Sequence, residues 1–188
     1  MKKRLLVGIS GASGAPLAVE LLRQLRAFPD IEVHLLVSQC GALTLGHECG
    51  MTAADLDGLV ARRYENDDYG AAPASGSFPT MGMVIVPCSM KTLAGIVSGY
   101  CETLLLRAAD VTLKERRPLV LVPRECPFST IHLRNLTAAS ELGARIVMPV
   151  PAYYNHPQTI DDVNRQIVGK ILGQLGLDTD LVRPWEGL

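Results

Sequence analysis

The sequence lacks most of the features that would place it by composition alone. Its 188 residues carry 18 Lys and Arg against 19 Asp and Glu, a net charge of −1. With neither sign in excess, no bulk field draws the chain to nucleic acid or to an acidic membrane surface. Aromatic residues are only 5% of the chain, and the apolar runs are strand-sized, far short of the roughly 20 residues of a membrane span. The N-terminal MKKRLLVGIS opens like a signal peptide, but the turn after Val7-Gly8-Ile9 ends the apolar run too early for one. A cytoplasmic protein is expected. The cysteines (Cys40, Cys49, Cys88, Cys101 and Cys126) are odd in number, irregularly spaced and without a C-x-x-C pair. The four histidines are scattered. A disulfide framework and a structural zinc are both disfavoured. Small buried thiols in a reducing compartment are the expectation, with Cys88 kept open as a reactive one.

What is present is a rhythm. Five nearly all-apolar runs recur: Leu5–Ile9, Val33–Val37, Met83–Val86, Leu119–Val122 and Ile146–Val150. Uninterrupted apolar strands are covered on both faces. Between them lie helical spacings: Leu17, Leu21, Leu22 and Leu25, then Leu104, Leu105, Ala108, Ala109 and Leu113. A last helix is announced by Thr159-Ile160-Asp161-Asp162, runs through Val163, Ile167, Ile171 and Leu172 to Leu175, and stops at Gly176. The alternation predicts one α/β domain over residues 1–188, a doubly wound, Rossmann-like or flavodoxin-like parallel sheet with helices on both faces. The aperiodic stretch 64–80 reads as a functional or disordered loop. The tail 178–188 holds the only tryptophan, Trp185, and is expected to pack on something, a neighbouring subunit included.

Such sheets bind ligands at the carboxyl ends of their strands. There the sequence places Ser10-Gly11-Ala12-Ser13-Gly14-Ala15, Ser38-Gln39, Pro87-Cys88-Ser89-Met90-Lys91-Thr92, Pro123-Arg124-Glu125-Cys126-Pro127 and Pro151-Ala152-Tyr153-Tyr154-Asn155. The first turn has small residues and a helix start, which suit a phosphate. No Gly-Lys-Ser/Thr follows, the G-x-G-x-x-G spacing is absent and Ser38 rather than an acid ends the second strand. ATP and NAD lose ground to a mononucleotide, FMN being the natural candidate, or the glycines serve a tight turn alone. Ser89 reads as a helix cap or a flavin donor, and Lys91 as a ligand cation or a solvated one. Arg124 and Glu125 are either a placed cation and base or a surface pair. Arg116 and Arg117 fit the helix dipole, and Arg107 and Asp110 fit a surface pair. Tyr154 either packs under a loop or offers its hydroxyl to an anion, and Lys170 on the last helix is expected to be exposed.

The strings G-A-S-G-A, A-S-G-S, P-C-S-M-K-T, R-A-A-D-V-x-L-K-E-R-R-P-L-V-L-V-P-R-E and Y-Y-N-H-P-Q together resemble the UbiX-like flavin prenyltransferases, formerly described as a component of aromatic acid decarboxylases. The resemblance spans Leu5 to Trp185. It implies that reduced FMN is alkylated by dimethylallyl phosphate at N5 and C6, that prenylated FMN serves a UbiD-type decarboxylase, that no metal is needed, and that the assembly is a dodecamer with its site between subunits. Residue by residue it implies that Gly11, Ala12, Ser13, Ser38, Ser89, Met90, Lys91, Thr92 and Arg124 hold FMN. It places Tyr154, Lys170, Arg107 and Lys114 on the dimethylallyl phosphate, and Ala74, Ser75 and Gly76 against the prenyl group and flavin. Tyr69 stands where some members have Trp, and Lys170 where arginine is usual, which loses the bidentate fork. Glu48 would protonate the departing phosphate if burial raises its pKa, and Glu125 would take the C6 proton, relayed through Ser13. A peptidyl-cysteine decarboxylase would carry P-A-S-A-N-T and P-x-M-N where this chain has P-C-S-M-K-T and P-R-E-C-P. An FMN-carrying accessory protein would not need the clustered cations.

Overall fold

A computed structural model describes residues 2–182, 184, 185 and 187. Its strands are β1 (Lys3–Ile9), β2 (Ile31–Val37), β3 (Arg62–Tyr64), β4 (Gly82–Cys88), β5 (Leu119–Pro123) and β6 (Arg145–Ile146). Its helices are α1 (Ala15–Leu25), α2 (Gln39–Cys49), α3 (Met90–Ser98), α4 (Leu104–Lys114), α5 (Thr130–Glu141) and α6 (Ile160–Gln174). The strands form one parallel sheet in the order β3-β2-β1-β4-β5-β6. The doubly wound prediction holds, and the order reverses between β1 and β4. That is the switch point where such sheets open a crevice.

The apolar runs work because a strand alternates its faces. Leu5, Val7 and Ile9 of β1 join Val84, Val86, Val120 and Val122 beneath α1 and α6. Leu6, Met83, Ile85, Leu119 and Leu121 point the other way, under α3 and α4. Both faces are dry, so neither can be polar. α6 begins where expected: Thr159 and Asp162 make a reciprocal capping box, and Gly176 follows at φ 73°.

Several elements differ from the sequence reading. The fifth run pairs only at Arg145–Ile146, with Val147 donating once more to Leu121 O. Beyond it Pro149 and Pro151 have no N–H to give, so the edge strand ends. β3 is short and carries two arginines, and α2 and α5 have weak apolar stripes, with only Gly41 and Leu45, and Ala139, buried. Residues 64–80 form an ordered segment. Ala71 and Pro73 are buried, and Arg117 donates to the carbonyls of Phe78 and Gly76 and to Thr80 Oγ1. Arg117 thus braces this loop, beyond the dipole role expected of it. In the tail, Leu181 and Val182 pack on α6 at Gly169, and the Trp185 ring meets the Tyr154 ring edge-on at 5.6 Å. These contacts lie within the chain, and Trp185 stays 59% exposed. Residues 183, 186 and 188 of that tail lie outside the described residues. Among the described residues no helix is long and apolar enough to cross a membrane.

Candidate active site

The carboxyl ends of β1, β2, β4 and β5 are tied to one another by hydrogen bonds. Ser38 N–H donates to Ile9 O, and Ser10 N–H and Oγ both donate to Pro87 O. Ser89 N–H donates to Ser10 Oγ at 2.8 Å, and Arg124 N–H to Cys88 O. Ser10 is therefore the buried tie across the switch point. The sequence places Ser10 at the end of the first strand but assigns it no role. A hydroxyl at the end of a dry strand was the signal available.

Two helices start at this edge with the same device. Ser38 Oγ accepts from Gly41 N–H, and Ser89 Oγ accepts from Thr92 N–H while donating to Thr92 Oγ1. Each serine caps its helix, which leaves the first amides of α2 and α3 without intrahelical acceptors. A Cβ on Gly11 would sit 2.2 Å from Cys40 Cβ, and one on Gly41 2.4 Å from Ile9 O. The two glycines let α2 press its N-terminus against the first turn, a closeness no larger residue permits.

A cavity of about 1190 Å³ opens beside these ends. Gly11, Ser38, Ser89, Met90, Lys91, Thr92 and Glu125 line it, with Tyr69 at its wall. It exceeds the roughly 300–1,000 Å³ of ordinary ligand pockets. Hydroxyls, helix-start amides and one lysine at a roomy cavity with apolar walls fit a flavin mononucleotide. Ala12 belongs to the same turn, its N–H bonded to Ser10 O. Cys88 is wholly buried, and burial pushes its thiol up to about 12, so the open possibility of a reactive thiol closes.

Ser13, Glu48 and Arg124 line a second, smaller cavity of about 470 Å³, floored by Leu17, Pro87, Val122, Val163 and Ile167. Here the structure overturns an expectation. Burial does push the Glu48 carboxyl upward, but hydrogen bonds from Gly14 N–H, the Ser13 side chain and Ala15 N–H, with the Arg124 charge, hold it below the usual range. The backbone bonds are 2.9 and 2.8 Å. Gly14 opens α1 at φ 118° with no side-chain cap of its own, and Glu48 reaches over from α2 to fill that role. A carboxylate so held is a poor proton donor. It also occupies α1's first amides, Gly14 and Ala15 N–H. The relay from Glu125 through Ser13 is not seen either. Ser13 engages Glu48, while Glu125 faces the larger cavity and accepts from its own neighbour Cys126 N–H.

The remaining residues do not join these cavities. Arg107, 2.6 Å from Asp110, donates to Ala74 O, and Lys114 pairs with Glu115 beside Gly76. Ser75 bonds Ser77. This group runs along α4, from Arg107 in its first turn, near Asn66 just past β3, to Lys114 in its last, where the chain passes to Pro118, which accepts from Met83 at the start of β4. Eleven residues of helix span about 16 Å. Tyr154 forms a third group with Gln166 and Trp185, and Lys170 is exposed on α6. Within one chain the expected site residues thus fall into three separate groups, around the two cavities, along α4 and beside α6.

Residues 1–172 match the family described as Flavoprotein. The flavin prenyltransferase UbiX of Escherichia coli (strain K12) is 51% identical over 187 residues, 98% of this chain and 99% of that one. Among solved structures, a dodecameric FMN-dependent UbiX-like decarboxylase from Escherichia coli O157:H7 superposes at TM-score 0.95 with 49% identity, over 98% of this chain and 100% of that one. AnUbiX (PadA1), solved in complex with FMN and dimethylallyl pyrophosphate, superposes at 0.97 with 42% identity, over the whole of both chains. The peptidyl-cysteine decarboxylase EpiD, at 15% identity and TM-score 0.65, shares the fold alone. With its motifs, sheet order and relatives in agreement, the chain belongs to the flavoprotein family and, within it, to the UbiX-like flavin prenyltransferases.

Proposed function

We propose that this protein joins the dimethylallyl group of dimethylallyl phosphate to N5 and C6 of reduced FMN and releases prenylated FMN for a UbiD-type aromatic acid decarboxylase. The observation that carries the reading is the meeting of the β1, β2, β4 and β5 ends at one roomy cavity whose donors are two serine-capped helix starts. Ser38, Ser89, Met90, Lys91 and Thr92 would hold FMN there, with Gly11 and Ala12 giving the backbone room and Arg124 and Ser13 bordering the neighbouring cavity. FMN supplies the two nucleophilic ring positions. In the overall change the allylic C–O bond breaks and phosphate leaves with its electron pair, bonds form to N5 and C6 as both lose their protons, and the prenyl double bond is consumed, its inner carbon gaining one proton while phosphate takes up the other.

The chain's residues account for the rest. Fixed cations and donors, here Arg107, Lys114, Tyr154 and Lys170, stabilise a leaving phosphate where its charge grows. Glu125, at the end of β5, is one of four acidic residues lining the flavin cavity, with Glu65, Asp67 and Glu102, and is assigned the role of base. Glu48 is assigned to holding Ser13 and the α1 start in place. Apolar walls and the 74–76 segment exclude the water that would quench an allylic cation.

The separate groups are assigned to a site completed between copies of the chain, in a homo-dodecamer like that of the UbiX-like relative. The test is direct. Purified protein is mixed with reduced FMN and dimethylallyl phosphate, and the flavin is examined by mass spectrometry. A dimethylallyl mass gain supports the reading. Tight FMN binding with no gain would leave an accessory flavin carrier, and loss of carbon dioxide from a peptidyl cysteine would mean the decarboxylase.

A further inference from the structure

Arg107 is tethered on two sides. Its Nη1 lies 2.6 Å from Asp110 Oδ2, one turn further along α4, and its Nε donates to Ala74 O at 3.2 Å. The second tether reaches 33 residues back in the chain, and its acceptor is not a loose one. Ala71 and Pro73 beside it are buried, Ala74 N–H donates to Ala71 O, and Arg117 holds the chain just beyond at Gly76 and Phe78. The helix itself does not need the ion pair. Thr103 Oγ1 caps α4 by accepting from Leu106 N–H, and Asn66 accepts from Leu104 N–H and Leu105 N–H. The paired side chains are 39% and 35% exposed, a setting in which ion pairs add little to stability. The consequence of the pair is directional. A guanidinium is planar, and bonds on two different nitrogens fix its plane where one bond would let it swing. The residues before it, Thr103, Leu105 and Leu106, line the flavin cavity.

We propose that Asp110 is a positioning residue for Arg107, aiming the guanidinium together with Ala74 O so that its remaining donors meet the phosphate of the prenyl substrate. The inference rests on the reading of Arg107 given above. An arginine side chain carries five N–H donors and no acceptor. Asp110 and Ala74 O take one each. The Cys101 thiol also lies against both Arg107 and Asp110, its pKa raised by burial and by the Asp110 charge, so it stays neutral. A neutral sulfur is a weak acceptor that an anion displaces. Phosphate therefore finds donors without evicting Asp110, and the carboxylate steers the fork instead of competing for it. Lys114 shows the contrast. Its ammonium sits 2.6 Å from Glu115, but a point charge on a flexible stem has no plane to fix, so the same kind of pair gives no direction there.

The test uses the purified protein with reduced FMN and measures KM for dimethylallyl phosphate, kcat, FMN retention and inhibition by inorganic phosphate. Asp110→Asn keeps the shape and removes the charge. KM should rise about fivefold, the scale of one hydrogen bond. The inhibition constant of inorganic phosphate should rise in the same proportion, with kcat and FMN retention unchanged, the pattern of a lost ground-state contact. Asp110→Glu, which keeps the charge on a longer arm, should recover part of the loss. Arg107→Met should raise KM further, and adding D110N to R107M should change nothing more. A lowered KM in D110N would make Asp110 a counter-ion that phosphate must displace, and a wild-type KM in D110N would make the pair a surface contact. Loss of FMN in D110N, or an equal cost of D110N in the R107M background, would make its role structural. Each of these overturns the positioning role while the reading of Arg107 stands. If R107M leaves KM unchanged, the assignment of Arg107 fails and takes the proposal with it.

Discussion

Replacing Glu48 by Gln isolates the bond between α2 and the start of α1. The carboxylate accepts from Gly14 N–H at 2.9 Å and Ala15 N–H at 2.8 Å at a helix end that has no cap of its own. The amide keeps one acceptor oxygen. What is lost is the charge at the positive end of the helix, about 0.3–1 kcal/mol, and much of a second hydrogen bond, about 0.5–1.5 kcal/mol. Glu48 is only half-buried, so solvent screening moves the sum to its lower end, about 1 kcal/mol. For a chain of this length that is a fall in Tm of about 2–4 °C. The pH dependence has a definite sign. Despite its burial, the hydrogen bonds and Arg124 hold the folded carboxyl below its ordinary value of 4.5. Its contribution is therefore complete above the unfolded pKa and is lost as pH falls through the lower folded one. Scanning calorimetry of wild type and E48Q should show a constant gap from neutral pH down to about the unfolded pKa, closing only below it. Amide exchange at Gly14 and Ala15 should quicken in E48Q. An E48Q protein that melts with wild type at neutral pH, or a gap that widens on acidification, would refute the cap and restore a protonated Glu48.

Three further outcomes follow from single contacts. Gly11→Ala should lower FMN retention and Tm together, because its Cβ would stand 2.2 Å from Cys40 Cβ with Cys40 backbone at 3.1 Å behind it; fluorescence titration with FMN measures it, and unchanged affinity would show that the α2 start can retreat. Under brief iodoacetamide treatment in mildly alkaline buffer, peptide mass mapping should find Cys40 and Cys126, both exposed, modified and Cys88 untouched, since burial pushes the latter to about 12; labelling of native Cys88 at a matching rate would place it at an open surface. Arg117→Met should cut stability by about 1–2 kcal/mol, as partial loss of its bonds to Gly76, Phe78 and Thr80 implies, and speed limited proteolysis within residues 74–80; equal digestion rates would show that the loop holds itself.

Much of the fold is legible because strands buried on both faces leave no choice of residue. Four of the five apolar runs became strands over nearly the expected spans, and the last helix was marked at both ends by its cap and stop. β3, α2 and α5 were not legible, since short edge strands and half-exposed helices bury too little to impose a pattern. In the site, Ser38 and Ser89 served both readings at once, because a helix cap at a strand end is also a wall of the crevice. Glu48 was legible as a residue of the site but not in its state. Burial alone would have raised its pKa, and the donors that reverse the sign come from Ser13, Gly14 and Ala15, more than thirty positions away.

By itself the sequence determined the layers: which segments pair, which faces are dry and which turns gather at the carboxyl edge, all properties carried by local periodicity and composition. Only the tertiary structure decided who touches whom among those turns. It capped α1 with a distant carboxylate, gave the crevice to α2 and α3, and kept Arg107, Lys114 and Tyr154 off that crevice within one chain. Pairwise distances between groups far apart in the chain depend on how whole layers stack, and no local pattern records them.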